Sequence, residues 1–148
     1  MRRFRRVLYA TDFSRASRPA FTAAQGFAKA NHASLLVVHV LTYMPPFFGG
    51  ETIPARVQDQ LEASAWAGAQ SQLKALVRAA RRAGVRVRGL IVKGSPYDQI
   101  TRAARLRGAD VIVLGTHGRT GVTKALLGSV ATRVLATARC PVLTVHHR

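Results

Sequence analysis

Short, nearly continuous apolar runs alternate along this chain with longer stretches in which apolar residues return every three or four positions. Val7-Leu8-Tyr9-Ala10 is the first short run, stopped by Thr11-Asp12. From Ser17 the spacing becomes helical: Ala20, Ala23, Ala24, Phe27 and Ala28 share a face, Ser17 can cap it and Pro19 is tolerated in a first turn. Residues 34–41, SLLVVHVL, read as a strand covered on both faces. Residues 42–54 hold Pro45, Pro46, Gly49, Gly50 and Pro54, which break any regular element and predict the longest loop; its aromatics Tyr43, Phe47 and Phe48 suit either a flap or a connection packed by its own side chains. Val57, Leu61, Ala65, Ala69, Leu73 and Val77 recur four apart and predict a long amphipathic helix over 56–83, ended at Gly84.

In residues 85–93, Arg86 and Arg88 alternate with Val85, Val87 and Ile91, the pattern of an edge strand. Gly94-Ser95-Pro96 with Asp98 supplies a cap, a first-turn proline and an acidic first turn for a helix bearing Ile100, Ala103, Ala104 and Leu106. Residues 110–114 form the next buried strand, a helix bearing Val130, Val134 and Ala138 follows, and 141–146 form a fifth strand. This β-α-β-α-β-α-β-α-β order predicts one α/β domain over residues 1–148: an open parallel sheet with helices on both faces. Such sheets bind ligands beyond the carboxyl ends of their strands, where the strand order reverses. With the first and fourth strands as neighbours, Asp12 and Gly115 line one crevice.

The fourth strand opens into Gly115 to Ser129, GTHGRTGVTKALLGS, a G-x2-G-x9-G-S pattern followed by a helix start. Glycines let backbone N–H groups approach an anion, and a helix N-terminus adds unpaired donors and partial positive charge. Two better-known phosphate signatures are absent. There is no G-x4-G-K-[ST] run, and Gly115, Gly118 and Gly121 are spaced three apart behind a late strand, unlike the G-x-G-x-x-G dinucleotide fingerprint.

Charge adds a second theme. The 148 residues carry 23 Lys plus Arg against 6 Asp plus Glu, a net +17 with 48% hydrophobic content. Such a chain attracts polyanions non-specifically. The arginines are scattered, however, and no helix-turn-helix, zinc-ligand pattern or aromatic RNA-binding strand accompanies them. The apolar run in MRRFRRVLYATDFS is too short for a secretory or membrane-spanning segment, so no membrane insertion and a cytoplasmic location are expected. The single Cys140 forms no internal disulfide, and a buried structural role is expected for it.

Taken with LYATDFS at the start, VHV at the end of the second strand, the VKGSP junction, DVIVLGTHGRTG, LLGSVA and the final CPVLTV, the chain resembles the universal stress protein family along essentially its whole length. The resemblance implies a sheet of order 3-2-1-4-5 and a site for ATP, or AMP or ADP, with Mg or Mn held mainly by the phosphates. It implies that Ala10, Thr11 and Asp12 border the adenosine, that Val40 after the second strand contacts the adenine, and that Gly115 passes under the ribose. Gly118, Gly128, Ser129 and Val130 would face the phosphates, with Thr116, His117 and Arg119 in the same loop. Ser129 also reads as a helix N-cap. Many relatives have proline or valine in place of Ala10 and a small residue in place of Phe13. A branch of the family that does not bind ATP lacks the phosphate glycines, all of which this chain retains. The resemblance further implies a homodimer paired antiparallel through Val142, Leu143, Thr144 and Val145, an apolar edge that His147 and Arg148 could blunt.

Catalysis has little support in the residues. Phosphoryl transfer needs a positioned base and a metal-holding carboxylate, and of the six acids only Asp12 falls in the crevice, at its base end. His32, His39, His117, His146 and His147 lack the spacing of a zinc site. Sulfur- and nitrogen-inserting relatives carry S-G-G-x-D-S where this chain reads ATDFS. The expectation is therefore a nucleotide-binding stress-response regulator with little or slow hydrolysis. The alternatives are a slow ATPase on the same fold, or a basic nucleic-acid-binding scaffold with a vestigial site.

Overall fold

The computed structural model describes residues 3–117 and 127–147. In chain order its elements are β1 (Arg6–Thr11), α1 (Arg18–Ala30), β2 (Ser34–Leu41), a short hairpin of β3 (Phe47–Phe48) and β4 (Glu51–Thr52), α2 (Ala55–Arg82), β5 (Val87–Lys93), α3 (Pro96–Arg107), β6 (Val111–Gly115), α4 (Ser129–Thr137) and β7 (Val142–Val145). The main sheet has the order β5-β2-β1-β6-β7 with every pair parallel, which is 3-2-1-4-5 once the hairpin is set aside.

Strand parity decides which helices cover which face. Val7, Tyr9, Leu35, Val37, Val111 and Val113 pack with α1 and α2, while Leu8, Ala10, Val38, Ile112 and Leu114 pack with α3 and α4. β1 sits at the centre, buried from Val7 to Thr11, which explains its unbroken apolar run. The chain moves outward from β1 to β2 and β5, then returns to the other side of β1 as β6. The strand order therefore reverses between β1 and β6. Thr11 lies opposite His39 in β2, and Ala10 opposite Leu114 in β6, so the ends of β1 and β6 are level.

Several local expectations are corrected. The loop of residues 42–54 is not wholly irregular: Phe47 and Phe48 pair antiparallel with Thr52 and Glu51 around Gly49 and Gly50, whose φ angles of 61° and 86° suit glycine. Its aromatics are not packed inward, since Tyr43 is 69%, Phe47 60% and Phe48 82% exposed. α2 has the predicted period, but only Ala69, Leu73 and Ala80 are buried, and Val57, Leu61 and Trp66 remain about two-fifths exposed. The reason is length. Its 28 residues span about 42 Å, whereas a seven-residue strand such as β5 spans roughly 23 Å, so the first turns of α2 extend past the sheet.

Ser17 stands at the N-cap of α1 but makes no capping hydrogen bond, because its hydroxyl donates to the Ser14 carbonyl at 2.7 Å within a single 3-10 turn. Ser95 likewise precedes α3 without a side-chain cap. Leu106 is exposed, outside the buried stripe of Ile100, Ala103 and Ala104. Ala138 lies just past α4, not within it, and Cys140 is half-buried, not buried.

Candidate functional site

The carboxyl ends of β1 and β6 meet at the point where the strand order reverses. After β1 the chain turns sharply. Thr11 Oγ1 accepts the Phe13 N–H at 2.9 Å, and Asp12 Oδ1 accepts the Ser14 N–H at 2.9 Å. These two local bonds hold Phe13 at φ 61°, a left-handed conformation uncommon for a bulky residue. Its ring lies against His39 with centroids 4.2 Å apart. His39 is buried, and its Nδ1 donates to the Thr11 carbonyl at 2.8 Å, a direction fixed because a carbonyl can only accept.

Below this turn is a hydroxyl network. Tyr9 OH donates to the Ser17 carbonyl at 2.8 Å, and Thr11 Oγ1 lies 3.3 Å from Ser17 Oγ. Burial pushes the Tyr9 phenol above its ordinary value of 10.0, the hydrogen bonds to Ser17 and Thr11 partly opposing it. Ser14 Oγ is buried and has no hydrogen-bond partner among the described residues.

The β6 side is joined to α4 through Thr116. Gly128 N–H donates to the Thr116 carbonyl at 2.6 Å, which sets the start of α4 directly beside the end of β6. A Cβ on Gly128 would stand 2.9 Å from that carbonyl oxygen, so glycine is required by the close approach; its φ of −59° is ordinary. Gly115 is less confined: Ala16 O and His117 O would each lie 3.4 Å from its Cβ, ordinary contact. Gly128, not Ser129, is the N-cap of α4; Ser129 is its first helical residue. The first-turn N–H groups at Ser129, Val130 and Ala131 have no carbonyl one turn earlier within the helix, and the dipole of α4 is positive at this end.

Thr116 is 1% exposed and holds more than α4. Its N–H donates to Val145 O at 3.0 Å, and its Oγ1 lies 3.0 Å from both His117 Nδ1 and His146 Nδ1. His117 Nε2 is buried without a hydrogen-bond partner among the described residues.

The fold thus gathers Ala10, Thr11, Asp12, Gly115, Thr116, His117, Gly128, Ser129 and Val130 around the ends of β1 and β6 and the start of α4. Val40 is within β2, not after it, one residue beyond the His39 that pairs with Thr11; it packs on the face covered by α3 and α4. Gly118 and Arg119, together with Gly121, Lys124 and Arg148, lie outside the described residues. Sequence reasoning missed His39 and His146 as members of this region. The level ends of β6 and β7, with Gly115 opposite Val145, would have signalled His146 had the register been known. No group of three or more His, Cys, Asp or Glu residues that could hold a metal ion occurs among the described residues. A groove of about 510 Å³ lies at the other end of the sheet, lined by Gly108, Ala109, Ile112 and Cys140 with Arg102, Arg105 and Arg139; it is remote from the switch point.

An open parallel sheet with loops and a helix N-terminus converging at its switch point defines an α/β protein of the doubly wound class. The sequence model of the Universal stress protein family matches residues 3–146, and the chain belongs to that family. It is 34% identical over 143 residues to the Universal stress protein MJ0531 of Methanocaldococcus jannaschii, covering 96% of this chain and 82% of that protein. The solved structure of MJ0577 from the same organism superposes with a TM-score of 0.84 at 25% identity, covering 99% of each chain. A universal stress protein crystallised in complex with cAMP superposes with a TM-score of 0.72 at 26% identity, covering 99% of this chain and 100% of that one. No helix among the described residues is long and apolar enough to cross a membrane.

Proposed function

We propose that this protein is an adenine-nucleotide-binding regulator of the universal stress type, which holds ATP, ADP or AMP at the switch point between β1 and β6. Ala10, Thr11, Asp12 and Val40 take the adenosine end. Gly115 passes under the ribose, and Gly118, Gly128, Ser129 and Val130 take the phosphates, with Thr116, His117 and Arg119 in the same loop. The observation that carries this reading is the Gly128–Thr116 joint, in which a 2.6 Å backbone bond leaves no room for a Cβ and sets the α4 N-terminus beside the strand end. That arrangement offers N–H donors to an anion. The complex of a relative with cAMP supports the same ligand class.

A divalent ion, Mg or Mn, would be carried in by the phosphates, since Asp12 is the one carboxylate at this crevice among the described residues and no metal-binding group accompanies it. Without a second carboxylate to hold a metal and orient water, hydrolysis is slow or incidental. The protein acts in the cytoplasm as a homodimer paired through β7, and nucleotide occupancy alters that association.

The test begins with freshly purified protein, denatured so that released nucleotide can be identified by mass spectrometry. ATP titrations of wild type and Gly128→Ala follow. Adenine nucleotide in the first measurement, and at least a tenfold loss of affinity in the second, on the scale of a lost hydrogen bond to a charged group, are expected. Equal ATP affinity in the two proteins would sink the phosphate assignment.

A further inference from the structure

We infer that His146, Thr116 and His117 form a directed hydrogen-bond chain that presents His117 Nε2 as an N–H donor to a phosphate oxygen; the inference rests on the nucleotide reading above. Thr116 Oγ1 is 3.0 Å from His117 Nδ1 and 3.0 Å from His146 Nδ1. A hydroxyl has one proton to donate and two lone pairs with which to accept. The third acceptor in reach, Val145 O, is 3.5 Å away and already takes the Thr116 N–H at 3.0 Å. The hydroxyl proton goes either to one imidazole, the other then donating to Thr116 Oγ1, or to Val145 O, both imidazoles then donating to Thr116 Oγ1.

Three arrangements satisfy the network. In one, His146 Nδ1–H donates to Thr116, Thr116 donates to His117 Nδ1, and His117 carries its proton on Nε2. In the other two, with every bond reversed or with both imidazoles donating to Thr116 while its hydroxyl donates to Val145 O, the Nε2 of neutral His117 is a bare lone pair. That nitrogen is buried and without a partner among the described residues. Beside His117 among the described residues is the start of α4, whose first-turn N–H groups are donors. A phosphate brings only acceptors, so a bare Nε2 would oppose it lone pair to lone pair, while Nε2–H adds one more donor. The phosphate fixes the direction, and His146 completes it from the residue after β7.

The chain thus makes His146 a positioning residue, acting through Thr116 on a contact it does not itself make. It favours nucleotides over nucleosides, since a ribose hydroxyl is served by any of the three arrangements and a phosphate by only one. Thr116 is suited to the link because its backbone is fixed at both N–H and C=O, by Val145 and Gly128.

Proton-detected long-range ¹H–¹⁵N spectra of the ATP-saturated protein read the two tautomers directly. The expected result is the Nε2–H form for His117 and the Nδ1–H form for His146. His146→Ala and Thr116→Val are each expected to weaken ATP binding about tenfold. The double variant is expected to be no weaker than either, adenosine binding to be unaffected, and Thr116→Ser, which keeps the hydroxyl, to restore the affinity. A His117 tautomer bare at Nε2, or His146→Ala with wild-type ATP affinity, overturns the directed chain. Failure of the Gly115 amide to respond to ATP overturns the nucleotide reading itself, and this one with it.

Discussion

At the scale of single residues, the first turn shows how much one buried group can report. Tyr9 is 1% exposed and its phenol is held neutral by burial while donating to Ser17 O. Its folded pKa lies above its unfolded value of 10.0, so the stability it contributes is complete below pH 10 and is lost as pH rises through the folded value. Tyr9→Phe is accordingly expected to lose about 1 kcal/mol at neutral pH from the missing hydrogen bond. It should also show a flatter decline than wild type above pH 10, measured by urea unfolding from pH 7 to 11. The sequence revealed the apolar character of Tyr9 and the polar character of Thr11 and Asp12. It did not reveal that Thr11 and Asp12 each turn back on their own backbone, because Asx and ST turns depend on local φ and ψ that residue type only biases. The same limit explains Ser17 and Ser129. Both are good capping residues by chemistry, yet Ser17 found a nearer carbonyl and Ser129 lies one position inside α4.

At the scale of elements, the periodic segments were legible almost to the residue, because the sheet buries β1 and β6 nearly throughout, β2 at its centre and each helix on one stripe. β2 spans the predicted Ser34–Leu41, and β5, which begins at Val87 and exposes Arg88 next to it, lies at an edge. What periodicity could not supply was whether a partner surface exists under each turn. α2 keeps its four-residue repeat past the end of the sheet, so Val57 and Leu61 are exposed although their spacing matches that of Leu73. β7 is the other edge. The Pro141 and Val145 carbonyls accept from β6, so the alternate residues Val142 and Thr144 turn their backbone polar groups outward. Thr144→Pro would remove an outward N–H without breaking the β6 ladder. It is expected to turn the dimer proposed above into a monomer in sedimentation equilibrium while retaining a folded circular dichroism spectrum; an unchanged dimer would move the interface elsewhere.

At the scale of the whole molecule, the net +17 predicts polyanion binding that is separable from nucleotide binding. Association with duplex DNA of arbitrary sequence should fall steeply between 50 and 200 mM salt, with log affinity linear in log salt, as counterion release requires. ATP binding, which involves one short anion, should fall far less over the same range. Sequence-independent loss would mark the DNA affinity as bulk electrostatics, and a residual sequence-selective affinity at 200 mM would contradict this. The topology was legible because a βα alternation allows few sheet orders, whereas the Thr116–His146 contact, spanning 30 residues, was not, because no local pattern encodes register between β6 and β7. The overhanging end of α2 and its hairpin have one more consequence. Residues 43–66 contain Glu51, Asp59 and Glu62 against Arg56, a net of 1 − 3 = −2, so the rest of the chain carries +19. The same segment holds six of the ten exposed large hydrophobic residues among the described ones. The molecule is therefore polarised. On a negatively charged surface the cationic remainder is expected to make the contact, with residues 43–66 left facing solvent.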